Sequence, residues 1–216
     1  MSRVLCYKHQ SLVGTEREDL MSDQFSSIWM EIGLPRKKKF LVCQLYREWR
    51  YLGQQDGGEF SHSIQEQLRR WIIFLDQWEQ ALTSGKEVIV LGDCNLDFLK
   101  FDRSGQLQPL VDTMFERIYP HGVVQCVKEA TRSWPGQVSS GLDHIYTSAP
   151  EKLSPSLLRY IGSSDHRLII ATRYAKNIRK NIRYCKKRSC QNFDEAMFLE
   201  EVSKISWWDV YSVQLQ

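Results

Sequence analysis

Apolar positions change their period along this chain, and the changes mark out its elements. "RVLCYKH" (3–9) alternates loosely, as a strand would. "SSIWMEIGL" (26–34) and "KFLVCQLY" (39–46) flank the polar turn "PRKKK", which predicts a hairpin. From residue 61 the period lengthens. Ile64, Leu68, Trp71, Ile72, Leu75 and Leu82 share one helical face. Ser63 with Glu66 forms a capping-box pattern at its start, and Ser84-Gly85 stops it. "KEVIVLGDCN" (86–95) is then a buried strand, and Pro109 to Ile118 a second helix. "GVVQCV", "SSGLDHIYTS" and "DHRLIIATRY" supply further strands. After Tyr174 the apolar pattern dissolves. "NFDEAMFLEEVSKISWW" (192–208) predicts a short amphipathic helix opened by Asn192 and Glu195. Strands with interspersed helices predict a layered α/β domain.

Length and composition narrow this. With 216 residues, 42% of them hydrophobic, the chain can bury one real core with a short appendage. No apolar run approaches the roughly 20 residues that span a bilayer. "MSRVLCYKHQ" lacks the apolar stretch of a secretory leader, so a nuclear or cytoplasmic protein without a membrane partner is expected. None of the six cysteines forms a C-x-x-C pair, which argues against zinc, and Cys43 and Cys94 fit buried thiols. Trp71 and Trp78 fit a packed helix rather than a base-stacking platform.

Net charge is +3, but Arg167 to Arg188 holds nine Lys or Arg and no Asp or Glu, which leaves −6 for the remainder (3 − 9). This segment is either a nucleic-acid or nuclear-import element or a solvated linker. Arg36-Lys37-Lys38-Lys39 reads as an exposed turn.

Three stretches place Asp beside Asn or His at the end of an apolar run: "LGDCN", "GLDHIY" and "SSDHRLII". Alternation along a strand points Asp93 and Asn95 one way and Cys94 the other. It also puts Asp143 on the face of Ile145, with Leu142 and His144 opposite. A carboxylate can orient or deprotonate a water, and an amide can meet a phosphate oxygen without repelling it. His166, paired with a carboxylate from another strand, would have its tautomer fixed and its charged form favoured. Asp165 suits a hard cation such as Mg²⁺. Each stretch alone is ordinary turn or strand chemistry; the three in this order are not.

"GDCN", "LDHIYTS" and "SDHRLI" resemble the motifs of the endonuclease/exonuclease/phosphatase superfamily, and within it the endonuclease domain of non-LTR retrotransposons. "LVCQLYREW" resembles the strand whose Tyr-Arg reaches the site, and "ATRSWPGQVSSGLDHIYTS" the Thr-Arg stretch before the Asp strand. "RSCQNFDEAMFLEEVSKISWWDVY" resembles the link to a reverse transcriptase. The resemblance implies an α/β fold, a partial four-layer sandwich of two mixed β-sheets flanked by helices. Residues 1–175 would form the partial domain, and 176–216 a basic linker and helix. It implies Mg²⁺-dependent hydrolysis of DNA phosphodiesters, with Mn²⁺ as a possible substitute and a reverse transcriptase domain as partner. Asp93 would orient or activate the water, and Asn95 would contact the scissile phosphate. His166 would stabilise its charge, Asp143 would hold that histidine, and Asp165 would be linked to metal. Tyr46 would be a phosphate-side phenol, with Arg47 beside it as a substrate contact. Thr131 and Arg132, and less so Ser139 or Ser140, would touch DNA.

The resemblance also implies an earlier Asn strand and a metal-binding Glu strand. Here "MSRVLCYKHQ" resembles a segment downstream of both, and Glu16, Glu18 and Glu31 lack the metal-Glu context. Truncation at the N-terminus and weakened or lost catalysis are therefore expected. A catalytically dead retroelement remnant with weak nucleic-acid binding, or a phosphatase or phosphodiesterase of inositol phosphates or sphingomyelin, are the alternatives.

Overall fold

A computed structural model describes residues 4–34, 38–48, 64–133, 136, 138–160, 164–174 and 193–205, leaving aside the side chains of 102, 103 and 156–159. Residues to 178 form one compact unit and those from 179 another.

The first unit is built on a six-stranded sheet. Its strands are β1 (Val13–Glu16), β2 (Ser26–Gly33), β3 (Phe40–Tyr46), β4 (Glu87–Asp93), β5 (Val124–Gln125) and β6 (Asp143–Thr147). They lie in the order β1-β2-β3-β4-β6-β5. β2 and β3 form the expected antiparallel hairpin. β3 and β4 are parallel, which a tight turn cannot connect. Helix α1 (Ile64–Thr83) lies between them in the chain. α2 (Gln108–Arg117) follows β4. A second, two-stranded sheet pairs β7 (Leu153–Tyr160) with β8 (Arg167–Arg173).

Alternation along the strands sends side chains to two apolar layers. On one face Trp29, Leu41, Cys43, Leu45, Val88 and Val90 meet Trp71, Phe74, Leu75 and Trp78 of α1 and Leu110 and Met114 of α2. The Trp71 indole N–H donates to the Leu110 carbonyl at 3.0 Å, so its one polar atom is satisfied inside the core. Both α1 tryptophans are thus core residues. On the opposite face Phe40, Ile89, Val127 and Ile145 pack with Leu153, Ile169 and Ala171, which joins the two sheets. Glu87 ties the same end of the layers by accepting from Arg173 Nε at 2.7 Å and Lys152 Nζ at 3.0 Å.

Several expectations are corrected. Residues 4–12 contain no strand; Val4 is buried but 5–10 are exposed, so the loose alternation there had no face to bury. The strand expected in "GVVQCV" is present but short, Val124–Gln125, with the Cys126 N–H also donating to the Ile145 carbonyl at 2.8 Å. β7 went unpredicted because Pro155 breaks its pattern, yet β7 is an edge strand among the described residues, where a missing N–H is tolerated. Helix α3 (Glu195–Ser203), in the second unit, is capped by Asp194, which accepts from the Met197 N–H at 3.0 Å. Asn192, Ser63, Trp207-Trp208 and basic residues 175–188 lie outside the described residues. At the front of the basic segment, Arg173 is held by Glu87 and lies over the Phe40 ring, while Arg167 lies 3.7 Å from Glu129. Of the lysine-arginine turn, Lys39 pairs with Glu31 at 2.7 Å.

Candidate active site

β3, β4 and β6 carry Tyr46, Asp93 and Asp143 to the same edge of the layer between the sheets. Asp93 lies opposite Tyr46 in the parallel register and opposite Asp143 in the antiparallel one. Directly opposed residues share a face, so the two carboxylates and the phenol point together. Asp143 and Ile145 do share this face, and Tyr146 belongs to the helix-side core.

The turn after β4 is built for close approach. Gly92 has φ 140°, and a Cβ there would stand 2.0 Å from the Leu45 carbonyl oxygen, so only glycine fits. Asp93 Oδ1 then accepts from the Asn95 N–H at 2.9 Å. Asn95 takes a left-handed conformation, φ 47°, which asparagine tolerates better than most residues. This breaks strand geometry at Asn95. Its side-chain amide donates to the Arg47 carbonyl at 2.8 Å.

His166, just before β8, approaches from the second sheet. Its Nδ1 lies 2.8 Å from Asp143 Oδ2. One ligand-capable atom each from Asp93, Asp143 and His166 lie within 4.8 Å of one another. Burial pushes the Asp93 carboxyl up to about 6, and the neighbouring Asp143 charge adds to this against the Asn95 N–H. The hydrogen bond to Asp143 raises His166 above the usual histidine value.

The remaining candidates occupy different positions. Thr131 is fully buried. Its Oγ1 accepts from the N–H groups of Leu142 (3.1 Å) and Asp143 (3.0 Å), and its carbonyl accepts from Arg167 N–H at 2.8 Å. It therefore braces the start of β6 against the start of β8. Arg132 Nε donates to Asp165 Oδ2 at 2.6 Å, which holds that carboxyl below its usual value. Asp165 does not join the three-residue cluster. Arg132 is partly exposed, Ser139 is exposed, and Ser140 exchanges backbone hydrogen bonds with Arg132. Arg47 is only 3% exposed, and its guanidinium faces the 93–95 turn.

Two further residues support this region. His144 is buried: its Nε2 lies 2.8 Å from the Leu96 carbonyl and its Nδ1 2.8 Å from the Tyr146 hydroxyl. Alternation put it on the face opposite Asp143, but nothing local named its partners. The Arg167 guanidinium lies over the Tyr160 ring, 5.4 Å from its centre, and Tyr160 lies on the strand that Pro155 concealed.

Two facing carboxylates, one of them destabilised as an anion by burial, fit a hard divalent cation. Carboxylate oxygens of Asp93 and Asp143 are the available donors, since His166 Nδ1 is engaged with Asp143. Glu31 offers no additional one: it is bonded to Lys39 and Lys86, which draw it down to about 2.

No curated protein matches the sequence. The endonuclease domain of TRAS1, a telomere-specific non-LTR retrotransposon, has the same fold, with a TM-score of 0.52 and 16% identity over 77% of this chain and 69% of that one. The catalytic domain of Xenopus laevis APE2 gives a TM-score of 0.42 and 17% identity, covering 74% of this chain and 61% of that one. No described helix is long and apolar enough to cross a membrane. The profile of the Endonuclease/Exonuclease/phosphatase family matches residues 25–166, about two-thirds of the chain, and the chain belongs to that family.

Proposed function

We propose that the chain hydrolyses phosphodiester bonds of DNA with a divalent cation, Mg²⁺ first and Mn²⁺ as a substitute, at low efficiency. The observation that carries this is the convergence of Asp93 from β4, Asp143 from β6 and His166 from just before β8, within 4.8 Å. Asp93, ionised above about pH 6, takes a proton from the attacking water. His166, oriented by Asp143, which favours its cationic form, balances charge that builds on the phosphate. Tyr46 and Asn95 flank Asp93 and orient the phosphate oxygens. Asp93 and Asp143 would hold the cation, which when bound would supply Lewis-acid stabilisation of the phosphate and leaving oxygen.

Low efficiency follows from the donor set. Among the described residues two carboxylates serve the cation, and one of them already holds His166. DNA as substrate rests on the likeness to the TRAS1 endonuclease domain, and a reverse transcriptase domain as partner rests on the resemblance of the segment 188–211 to such a link. Asp165 and Arg132 serve as a paired rim to the site, with Arg132 as the DNA contact.

Nicking of supercoiled plasmid, followed over a Mg²⁺ and Mn²⁺ series, tests the proposal. Slow metal-dependent nicking that Asp93→Ala and His166→Ala both abolish is the expected result. An absence of nicking across the whole series would sink it. Release of phosphate from an inositol phosphate, with plasmid untouched, would move the substrate class to the phosphatases of the family.

A further inference from the structure

Arg47 is committed to the turn that carries Asp93 and Asn95. Its backbone N–H donates to the Asp93 carbonyl at 2.9 Å, and its own carbonyl accepts from Asn95 Nδ2 at 2.8 Å. Its guanidinium Nε donates to the Cys94 carbonyl at 2.5 Å and Nη2 to the Asn95 carbonyl at 2.7 Å. The third arm, Nη1, donates to Gln67 Oε1 of α1 at 3.0 Å. So five hydrogen bonds leave one residue, four of them to three consecutive residues of the site.

This arrangement solves a specific local problem. A left-handed Asn95 turns successive carbonyls out of the ladder, and Cys94 is almost fully buried. Buried carbonyls without donors are costly. A planar fork of fixed donors meets two neighbouring carbonyls at once, which an ammonium on a flexible stem does not. The guanidinium keeps its charge at neutral pH although burial lowers it to about 10. At 3% exposed, little of Arg47 is open to solvent.

We propose that Arg47 is a positioning residue for the hydrolytic site, holding Asn95 and the Asp93 backbone in place and linking them to α1 through Gln67. This rests on the phosphodiesterase reading above. Its effect falls on the transition state, because a displaced amide and carboxylate still admit substrate but meet it in the wrong geometry.

The test uses the full chain with Arg47→Lys, Arg47→Met and Gln67→Leu, and with Val88→Ala as a core control at the far end of β4. Two readouts are needed. In amide NMR spectra, both Arg47 variants shift the signals of residues 93–96 and the Asn95 side-chain amide, and leave β1 and β2 unchanged; Val88→Ala does not move the turn. In plasmid nicking below the melting temperature of each variant, the Arg47 variants lose kcat by roughly tenfold to a hundredfold with KM nearly unchanged. Lysine does not rescue. Gln67→Leu, which leaves the carbonyl contacts intact, loses less. An unmoved turn in Arg47→Met overturns the proposal, and so does a rise in KM at constant kcat, which would make Arg47 a substrate contact. If Arg47→Met fails to fold, Arg47→Lys and Gln67→Leu decide by the same two readouts. If the wild-type chain nicks nothing, the hydrolytic reading fails separately, and the spectra alone decide whether Arg47 holds the turn.

Discussion

His166 and Asp143 lie 23 positions apart in sequence, yet His166 Nδ1 stands 2.8 Å from Asp143 Oδ2. An ionised carboxylate only accepts, so Nδ1 carries the hydrogen that meets it, and Nε2 carries the second one in the cationic ring. This pairing raises the histidine above its usual value. A histidine raised in the folded state contributes stability that is fully present below the unfolded value near 6.5 and is lost as pH rises through the folded value.

Asp143→Asn should therefore lower the His166 titration midpoint, read from its ring proton signals in NMR. It should also remove the corresponding loss of stability on the alkaline side. An unchanged midpoint would mean that the pair does not form in solution.

Asp93→Asn should reduce metal-dependent nicking by roughly 10²- to 10⁴-fold, the range for loss of a positioned general base. In the wild type the rate should rise with pH through a limb near 6, where Asp93 ionises, and a cation bound there would move the limb lower. A rate that is flat from pH 5 to 8 would remove Asp93 from the base role.

His144 gives the opposite pH signature. Burial holds it down to about 4, so it folds neutral while the unfolded chain protonates near 6.5. Its contribution is present above pH 6.5 and is lost as pH falls toward 4, about 3 kcal/mol in all for a shift of this size. Urea midpoints measured between pH 7 and 4 should show the fall, and His144→Gln should flatten it. Glu31, drawn down to about 2, loses its contribution in a lower window, between about 4.5 and 2.

Gly92→Ala should cost on the order of 3 kcal/mol or more, since φ 140° and a Cβ placed 2.0 Å from the Leu45 oxygen both oppose it. Thermal melting checks this. A variant within about 1 kcal/mol of wild type would mean that β3 and β4 can separate there.

Local patterning made much of this legible. The β2–β3 hairpin, α1, β4 and β8 follow from periodicity, and alternation put Asp143 with Ile145 as observed. Asp93 opposite Asp143 is a register, and no strand records its own partner. Residue chemistry misled at Arg47 and Thr131. An arginine after a site tyrosine and a threonine before a site aspartate suit substrate contacts, but tertiary packing turned both inward to backbone groups. β7 was hidden because Pro155 forbids an interior strand and says nothing against an edge.

β6 alternates between two duties: Asp143 and Ile145 face the layer between the sheets, while His144 is sealed in the interior and Tyr146 packs on the helices. Chemistry and folding are therefore interleaved residue by residue on one strand. A lineage that stopped cleaving DNA would still be obliged to keep Gly92, Thr131, His144 and Tyr146 in order to fold. Asp93, whose anion burial disfavours, answers to no such obligation. Drift at Asp93 among related chains, set against constancy at the other four, would mark a lineage in which the proposed hydrolysis had lapsed.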